Sequence, residues 1–379
     1  MRAASFKVLG ASLRVLPAAL TVLAASMMVR PGAAQGRFTN VKAETRSAAR
    51  GLEPEIRAVA ARGGVAWIGY RVPMVAGPRQ MCCYDTMSDS GGCCGVCRLE
   101  GGGGITMTTD GAPARGARVA LESPTELLVL ARLGNDANGA VNRVRLFTPD
   151  CDVDAGAMPV VWLTDVRADQ SIAWLSTLAT SARDAGQPRE RVAKQALAAI
   201  ALHDVPAADR ALEGFVAPAQ PEWLRSDTAF WLGSARGEPG ARLLARMIQQ
   251  DPADKVREKV TFGLSVSQAP SALTTLITAA KEDKSARVRG QALFWLAHKA
   301  GRQAIATIAD AIERDPETEV KRRAVFALSQ LPKDEGVPRL IDVARTNRNP
   351  EVRKQAFFWL GQSKDPRAVQ FFEEILLKK

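Results

Sequence analysis

The residues with the most evident chemistry are six cysteines, all within one part of the chain. Five lie in a glycine-rich stretch and the sixth follows a predicted strand. They are Cys82, Cys83, Cys93, Cys94, Cys97 and Cys151. An even number of cysteines in an exported chain predicts disulfides, although the sequence does not choose among the pairings. Disulfides would also order a loop that is rich in glycine.

Two other chemistries remain open for the same stretch. Cys94 and Cys97 have the spacing of a redox pair, but no helix-forming sequence follows Cys97 to lower a thiol pKa. A zinc site of thiolates would take its second pair from Cys82, Cys83 and Cys93, whose spacing is irregular. A redox or metal-binding protein centred on Cys82–Cys97 is therefore the alternative to a disulfide-containing domain.

No catalytic spacing is found elsewhere in the sequence. It has no Gly-x-Ser-x-Gly, His-Glu-x-x-His or phosphate-loop motif. The two histidines, His203 and His298, end predicted helices, where they are expected to cap carbonyls rather than act as bases. We therefore expect no enzyme and no cofactor.

Three alternating aspartates, Asp150, Asp152 and Asp154, are the nearest approach to a calcium loop. Ala155 stands where the loop requires glycine, and Val161 stands where the closing glutamate belongs. The sequence favours a solvated acidic turn and no metal site.

The first 34 residues have the composition of a signal peptide. Basic residues at Arg2, Lys7 and Arg14 precede the apolar run Val15–Val29, which is too short to span a bilayer. Small residues at positions 32–34 then suit signal peptidase, without a lipoprotein cysteine. We expect a periplasmic or secreted protein with no later membrane span, and a retained anchor is the alternative.

Length and charge indicate the number of domains and the kind of partner. The 379 residues suit two to three domains, and 46% hydrophobic residues is typical of a globular protein. The net charge of +11 is spread without a long Lys/Arg run, which favours acidic partners or surfaces over nucleic acid.

Residues 35–167 are predicted to form a small, mostly antiparallel, Cys-containing β domain after a helix within Arg46–Ala61. Asn138-Gly139 predicts a hairpin between two of its strands. The predicted strands are Val65–Val72, Ile105–Thr108, Val119–Leu121, Leu127–Leu133, Val141–Phe147 and Val160–Leu163.

Residues 168–379 repeat at intervals of 32 residues. Each unit places apolar residues four apart on one helix, then a break and a second apolar helix, as Val256, Val260 and Leu264 show. Such pairs bury their faces only by stacking, which predicts an α-solenoid of about six repeats, the first of them degenerate. The matching columns are Phe230, Phe262, Phe294, Phe326 and Phe358; Leu224, Val256, Val288, Val320 and Val352; and Leu244, Leu276, Ile308, Leu340 and Phe372.

Two further columns allow a structural or a functional interpretation. Trp231, Trp295 and Trp359 alternate with Gly263 and Ala327, which favours interdigitated packing over an aromatic ladder that grips a ligand. The basic column is interpreted as a structural ladder with local acids, or as a stripe for an acidic partner. It consists of Arg225, Arg257, Arg289, Lys321 and Arg353.

The segments Val288-Arg289-Gly290-Gln291-Ala292-Leu293 and Val352-Arg353-Lys354-Gln355-Ala356, with Leu232-Gly233 and Leu360-Gly361, resemble the short HEAT-like repeats related to phycobilisome lyases. The resemblance covers about half of the chain and implies protein-binding scaffolds; a minority of its members attach bilins to cysteines. Because the repeats here contain no cysteine, we expect a scaffold that holds a protein partner, and a lyase-like enzyme is an alternative.

Overall fold

The computed structural model describes residues 37–77, 97–100, 124–135, 140–149, 151–182 and 188–377. The predicted signal peptide, the predicted strands Ile105–Thr108 and Val119–Leu121, and the cysteines from Cys82 to Cys94 lie outside these residues. No helix in the described part is long and apolar enough to cross a membrane.

Strands of the N-terminal region form two sheets. A five-stranded sheet has the order β2-β8-β3-β5-β6, and a three-stranded sheet has the order β1-β7-β4. Helix α1 is Leu52–Ala60, shorter than the predicted helix. The strands are β1 Arg37–Thr39, β2 Glu44–Ser47, β3 Ala66–Pro73, β4 Cys97–Arg98, β5 Glu126–Leu133, β6 Val141–Phe147, β7 Asp152–Asp154 and β8 Val160–Thr164.

The predicted N-terminal β region is present, but its strand pairing is mixed rather than mostly antiparallel. Strands β3, β5 and β6 pair antiparallel, so the predicted hairpin forms, with Asn138-Gly139 itself outside the described residues. Strand β8 lies parallel to both β2 and β3, and β7 lies parallel to β1 and β4. Strands β2 and β3 therefore run in the same direction on either side of β8, and α1 lies in the crossover connection between them.

Side chains alternate between the two faces of the five-stranded sheet. Trp67, Leu130 and Trp162 face the core shared with the small sheet. Ile68 and Leu163 face a larger core shared with the helices. Because both faces are covered, the strands read as nearly continuous apolar runs.

The remainder is helical and follows the predicted period. One layer contains the first helices of the pairs, which contact one another from pair to pair, and the second helices form the other layer. The helices are α2 Ala168–Ala179, α3 Pro188–Leu202, α4 Pro206–Phe215, α5 Glu222–Ala235, α6 Gly237–Gln250, α7 Asp254–Val266, α8 Pro270–Glu282, α9 Ala286–Ala300, α10 Ile305–Arg314, α11 Thr318–Ser329, α12 Lys333–Thr346, α13 Pro350–Gln362 and α14 Pro366–Leu377. A short 3₁₀ turn, Gly301–Ala304, precedes α10.

Burial explains why the pairs stack. Two apolar columns are buried along the first-helix layer, which consists of α5, α7, α9, α11 and α13. One is the predicted column from Leu224 to Val352, and the other is the leucine two residues after each phenylalanine, from Leu232 to Leu360. At Gly233 of α5, a Cβ atom would lie 1.9 Å from the carbonyl oxygen of Gly263 in α7, so these backbones touch. The close approach explains the glycine at this position.

The sheet and the helices share one core. Strand β6 packs on α3, where the Val144 amide donates to Gln195 Oε1 at 2.9 Å. The Val75 amide donates to Leu202 O at 2.9 Å, and the Asp204 amide donates to Pro73 O at 3.0 Å. The sheet therefore closes the N-terminal end of the stacked helices.

Candidate binding groove on the first-helix layer

An unbroken row of aromatic rings runs across the first-helix layer. Phe230 stacks on Phe262 at 5.7 Å, and Phe294 stacks on Phe326 at 5.6 Å. Trp295 joins the two stacks, since its ring lies 4.7 Å from Phe262 and 4.8 Å from Phe294. Tryptophans at both ends extend the row, from Trp231 to Trp359 and Phe358.

These rings both pack and remain accessible. Trp295 lies against Phe262 beside Gly263, and Trp359 lies against Phe326 beside Ala327, as interdigitation requires. The rings are only half-buried, and Phe358 is 54% exposed. The packing interpretation and the ladder interpretation of the tryptophan column are therefore compatible.

A groove of about 370 Å³ opens over the C-terminal part of this row. Helices α9, α11 and α13 form it, and Phe294, Phe326 and Trp359 supply its aromatic surface. Its polar lining consists of Gln291, Glu319, Arg322, Arg323 and Gln355.

Gly290 gives the groove its shape. A Cβ atom there would lie 2.3 Å from Arg323 Cδ, so the arginine stem lies across the glycine. The guanidinium then bonds Glu319 through Nε at 3.2 Å, and Arg322 bonds the second oxygen of the same carboxylate at 3.2 Å. Two cations thus share one anion at the wall of the groove.

Polar groups in the groove have spare hydrogen-bonding capacity. Gln291 and Gln355 are half-buried, and their side-chain amides form no hydrogen bond within the described residues. The indole Nε1 of Trp359 is buried and has no acceptor among the same residues. Unpaired buried donors cost free energy, which a bound acceptor would recover.

The predicted basic column has a different environment from the groove. Arg225, Arg257 and Arg289 are buried, and each makes a bidentate pair with an aspartate 26 residues later, in the turn that follows the next helix. The Arg257–Asp283 distances are 3.0 and 3.1 Å. Each arginine also donates to carbonyls of the preceding turn, such as Asp251 O for Arg257. This geometry favours the structural ladder.

The ladder changes at its fourth step. Lys321 donates to Glu313 O at 2.7 Å, and Asn347 stands where the earlier turns have aspartate. Arg353 donates to Asn347 O at 2.8 Å. Single hydrogen bonds to main-chain carbonyls and to the Glu313 carboxylate therefore stand where the earlier steps have a bidentate Arg–Asp pair.

A buried polar chain joins β3 to α2 and the end of α3. Tyr70 lies 2.8 Å from Ser171 Oγ, which lies 2.9 Å from His203 Nε2, while His203 Nδ1 lies 2.7 Å from Ala199 O. A carbonyl only accepts, so Nδ1 carries the proton and Nε2 accepts from Ser171. His203 thus caps a helix carbonyl.

Burial governs the protonation of this chain. It lowers the pKa of His203 to about 4, aided by the charge of Arg236, against the opposing hydrogen bond to Ala199 O. Burial also raises the pKa of Tyr70. Serine and histidine lie together here, but both are fully buried, which suits a structural latch.

The other predicted site residues that the structure describes lie apart from the groove. Cys151 is buried and disulfide-bonded, with its Sγ 3.3 Å from Thr148 Oγ1. Asp154 accepts hydrogen bonds from the Gly156 amide and from the Asn40 side chain, and these bonds, the first above all, lower its pKa. No metal-ligand cluster occurs among the described residues.

Sequence reasoning found the aromatic column but not the groove. Gln291 and Gln355 stand four residues before Trp295 and Trp359, a repeated pairing that the sequence displays. That Gly290 accommodates Arg323 is a contact between repeats, which no single repeat reveals.

Comparison with known proteins agrees with this fold. A family model of HEAT repeats matches residues 305–379. No curated protein matches the sequence.

Solved structures with similar coordinates include human deoxyhypusine hydroxylase in complex with glycerol, 16% identical, covering 55% of this chain and 91% of that one, with a TM-score of 0.28. The E. coli protein YibA is 23% identical, covering 52% and 71%, with a TM-score of 0.34.

The complex of CpcE and CpcF of phycocyanin lyase from Nostoc sp. PCC7120 is 18% identical, covering 41% and 98%, with a TM-score of 0.33. Likenesses at these TM-scores carry no argument about activity. The stacked helix pairs and their 32-residue period show that the C-terminal half of the chain is a HEAT-like helical-repeat solenoid, in which residues 305–379 match the HEAT-repeat family model.

Proposed function

We propose that the protein is a non-catalytic scaffold that holds a partner protein on the aromatic row of its first-helix layer. The observation that supports this proposal is the unbroken series of ring-to-ring contacts from Trp231 to Phe358, whose half-exposed rings lie on the first helices of five successive pairs. Aromatic side chains supply large contact areas at interfaces with little entropy loss.

Photo-crosslinking in the producing cell tests the proposal. Phe358, 54% exposed, is replaced by a benzophenone amino acid in the full chain, and Arg314, 82% exposed on α10, receives the same residue as a control. We expect one adduct of defined mass from position 358 and none from position 314. Equal adduct patterns from both positions, or none from position 358, would refute the proposal.

We also propose that the protein is exported, on the basis of the apolar run Val15–Val29 and the small residues after it. Fractionation of the producing cells, followed by mass spectrometry of the N-terminus, tests this. A mature chain that begins at Gln35 outside the cytoplasm is expected, and an intact Met1 in the cytoplasm would contradict it.

A further inference from the structure

We propose that the groove formed by α9, α11 and α13 binds an extended, acidic segment of the partner protein. This inference rests on the proposed scaffold function and adds the chemistry of the ligand. Apolar side chains of the segment would lie on Phe294 and Phe326, and a carboxylate would lie at Arg322 and Arg323.

Charge is the first argument. The three helices together carry eight Lys and Arg residues but only two Glu residues. Within the groove, Arg322 and Arg323 share the single carboxylate of Glu319, and their side chains are 45% and 37% exposed. Each guanidinium has five N–H donors, so donors remain for a second carboxylate. Two arginines beside one glutamate also leave a net positive charge, which a ligand carboxylate would neutralise.

Hydrogen bonding is the second argument, and it concerns the backbone of the ligand. The amides of Gln291 and Gln355 both donate and accept, and neither has a partner in the described part of the chain. In a helical ligand the backbone N–H and C=O groups already bond one another, whereas in an extended segment they are free to bond the side-chain amides of the groove.

Fluorescence anisotropy with two labelled peptides tests the inference on the full mature chain. One peptide alternates Glu and Asp with Leu and Phe, and the second has Lys in place of each acid. We expect the acidic peptide to bind at least about tenfold more tightly than the basic one. The double variant Arg322→Gln/Arg323→Gln should lose about tenfold in affinity for the acidic peptide, and Arg314→Gln, on the other layer, should lose none.

The outcomes separate this inference from the scaffold function. Equal binding of the two peptides, binding of neither, or full affinity in the double variant overturns the acidic ligand. The variant Phe326→Ser then tests the scaffold function by itself. If the basic peptide binds, and if Phe326→Ser lowers the affinity for it, the acidic ligand is wrong but the scaffold function is supported. If neither Arg322→Gln/Arg323→Gln nor Phe326→Ser changes peptide affinity, and no adduct forms at position 358, both the acidic ligand and the scaffold function are refuted.

Discussion

At the residue scale, charge is used in two different ways along the repeats. The paired side chains of Arg257 and Asp283 are only 2% and 3% exposed. The Arg287 side chain, which pairs with Glu258, is 51% exposed. Buried pairs tolerate the loss of one partner badly, because the other charge is left without compensation. Exposed pairs contribute little.

Replacing Arg257 by alanine is therefore expected to lower the free energy of unfolding by about 3–5 kcal/mol. The matched change Arg287→Ala should cost about 0–1 kcal/mol. Chemical denaturation of both variants measures the difference. Equal costs would show that the buried ladder adds nothing beyond a surface ion pair.

The buried His203 predicts a pH dependence of stability. Its pKa of about 4 lies below the ordinary 6.5, so the unfolded chain binds the proton first as the pH falls. Stability is fully present above pH 6.5 and is lost as the pH falls from 6.5 to 4, by about 3 kcal/mol. Denaturant titrations across this range should show a smaller decline in His203→Gln; parallel curves would exclude the histidine as the cause.

At the element scale, the period and apolar columns predicted the helix pairs well. Helix α7, Asp254–Val266, contains the predicted apolar positions Val256, Val260 and Leu264, and after a break the predicted second helix follows as α8, Pro270–Glu282. The sheet was less predictable, because β8 inserts between β2 and β3 through long-range pairing. Periodicity identifies a strand and its buried face, but not its neighbours or their direction.

Two glycines in one repeat column test how closely the helices approach. Gly233→Ala places a methyl group on the backbone of α7 and is expected to cost about 1–3 kcal/mol. At Gly361 nothing lies within 4 Å, so Gly361→Ala should be neutral or stabilising by up to about 1 kcal/mol. Thermal unfolding compares the two, and a neutral Gly233→Ala would contradict the backbone contact.

At the scale of the whole molecule, the described sheet is a terminal part of the same core. Its helix-facing side chains belong to the core that continues through the repeats. A stacked array needs its ends covered, and α3 is covered by β6. The cysteine stretch, whose chemistry the sequence left open, stays a prediction, since most of it lies outside the described residues.

A fragment of residues 188–379 is therefore expected to unfold at a lower temperature than the mature chain and to bind a hydrophobic dye, because it exposes the face of α3 that contacts β6. Removing α14 from the opposite end should have a smaller effect, since several of its apolar side chains are already exposed. Calorimetry on both truncations decides this. A fragment as stable as the mature chain would show that the sheet is dispensable.

Asn347 and Lys321 stand where the earlier repeats have Asp and Arg, and this difference bears on the stiffness of the stacked helices. Three consecutive joints before it are fastened by bidentate pairs, which resist separation of neighbouring helix pairs. At the fourth step, single hydrogen bonds from Lys321 and Asn347 to Glu313 replace the bidentate pair, and the neighbouring helices α11 and α13 line the groove. We expect bending of the stacked helices to concentrate at this step, because it lacks the bidentate pair that the three steps before it have. The groove would then widen around a large bound side chain while the N-terminal repeats keep their spacing.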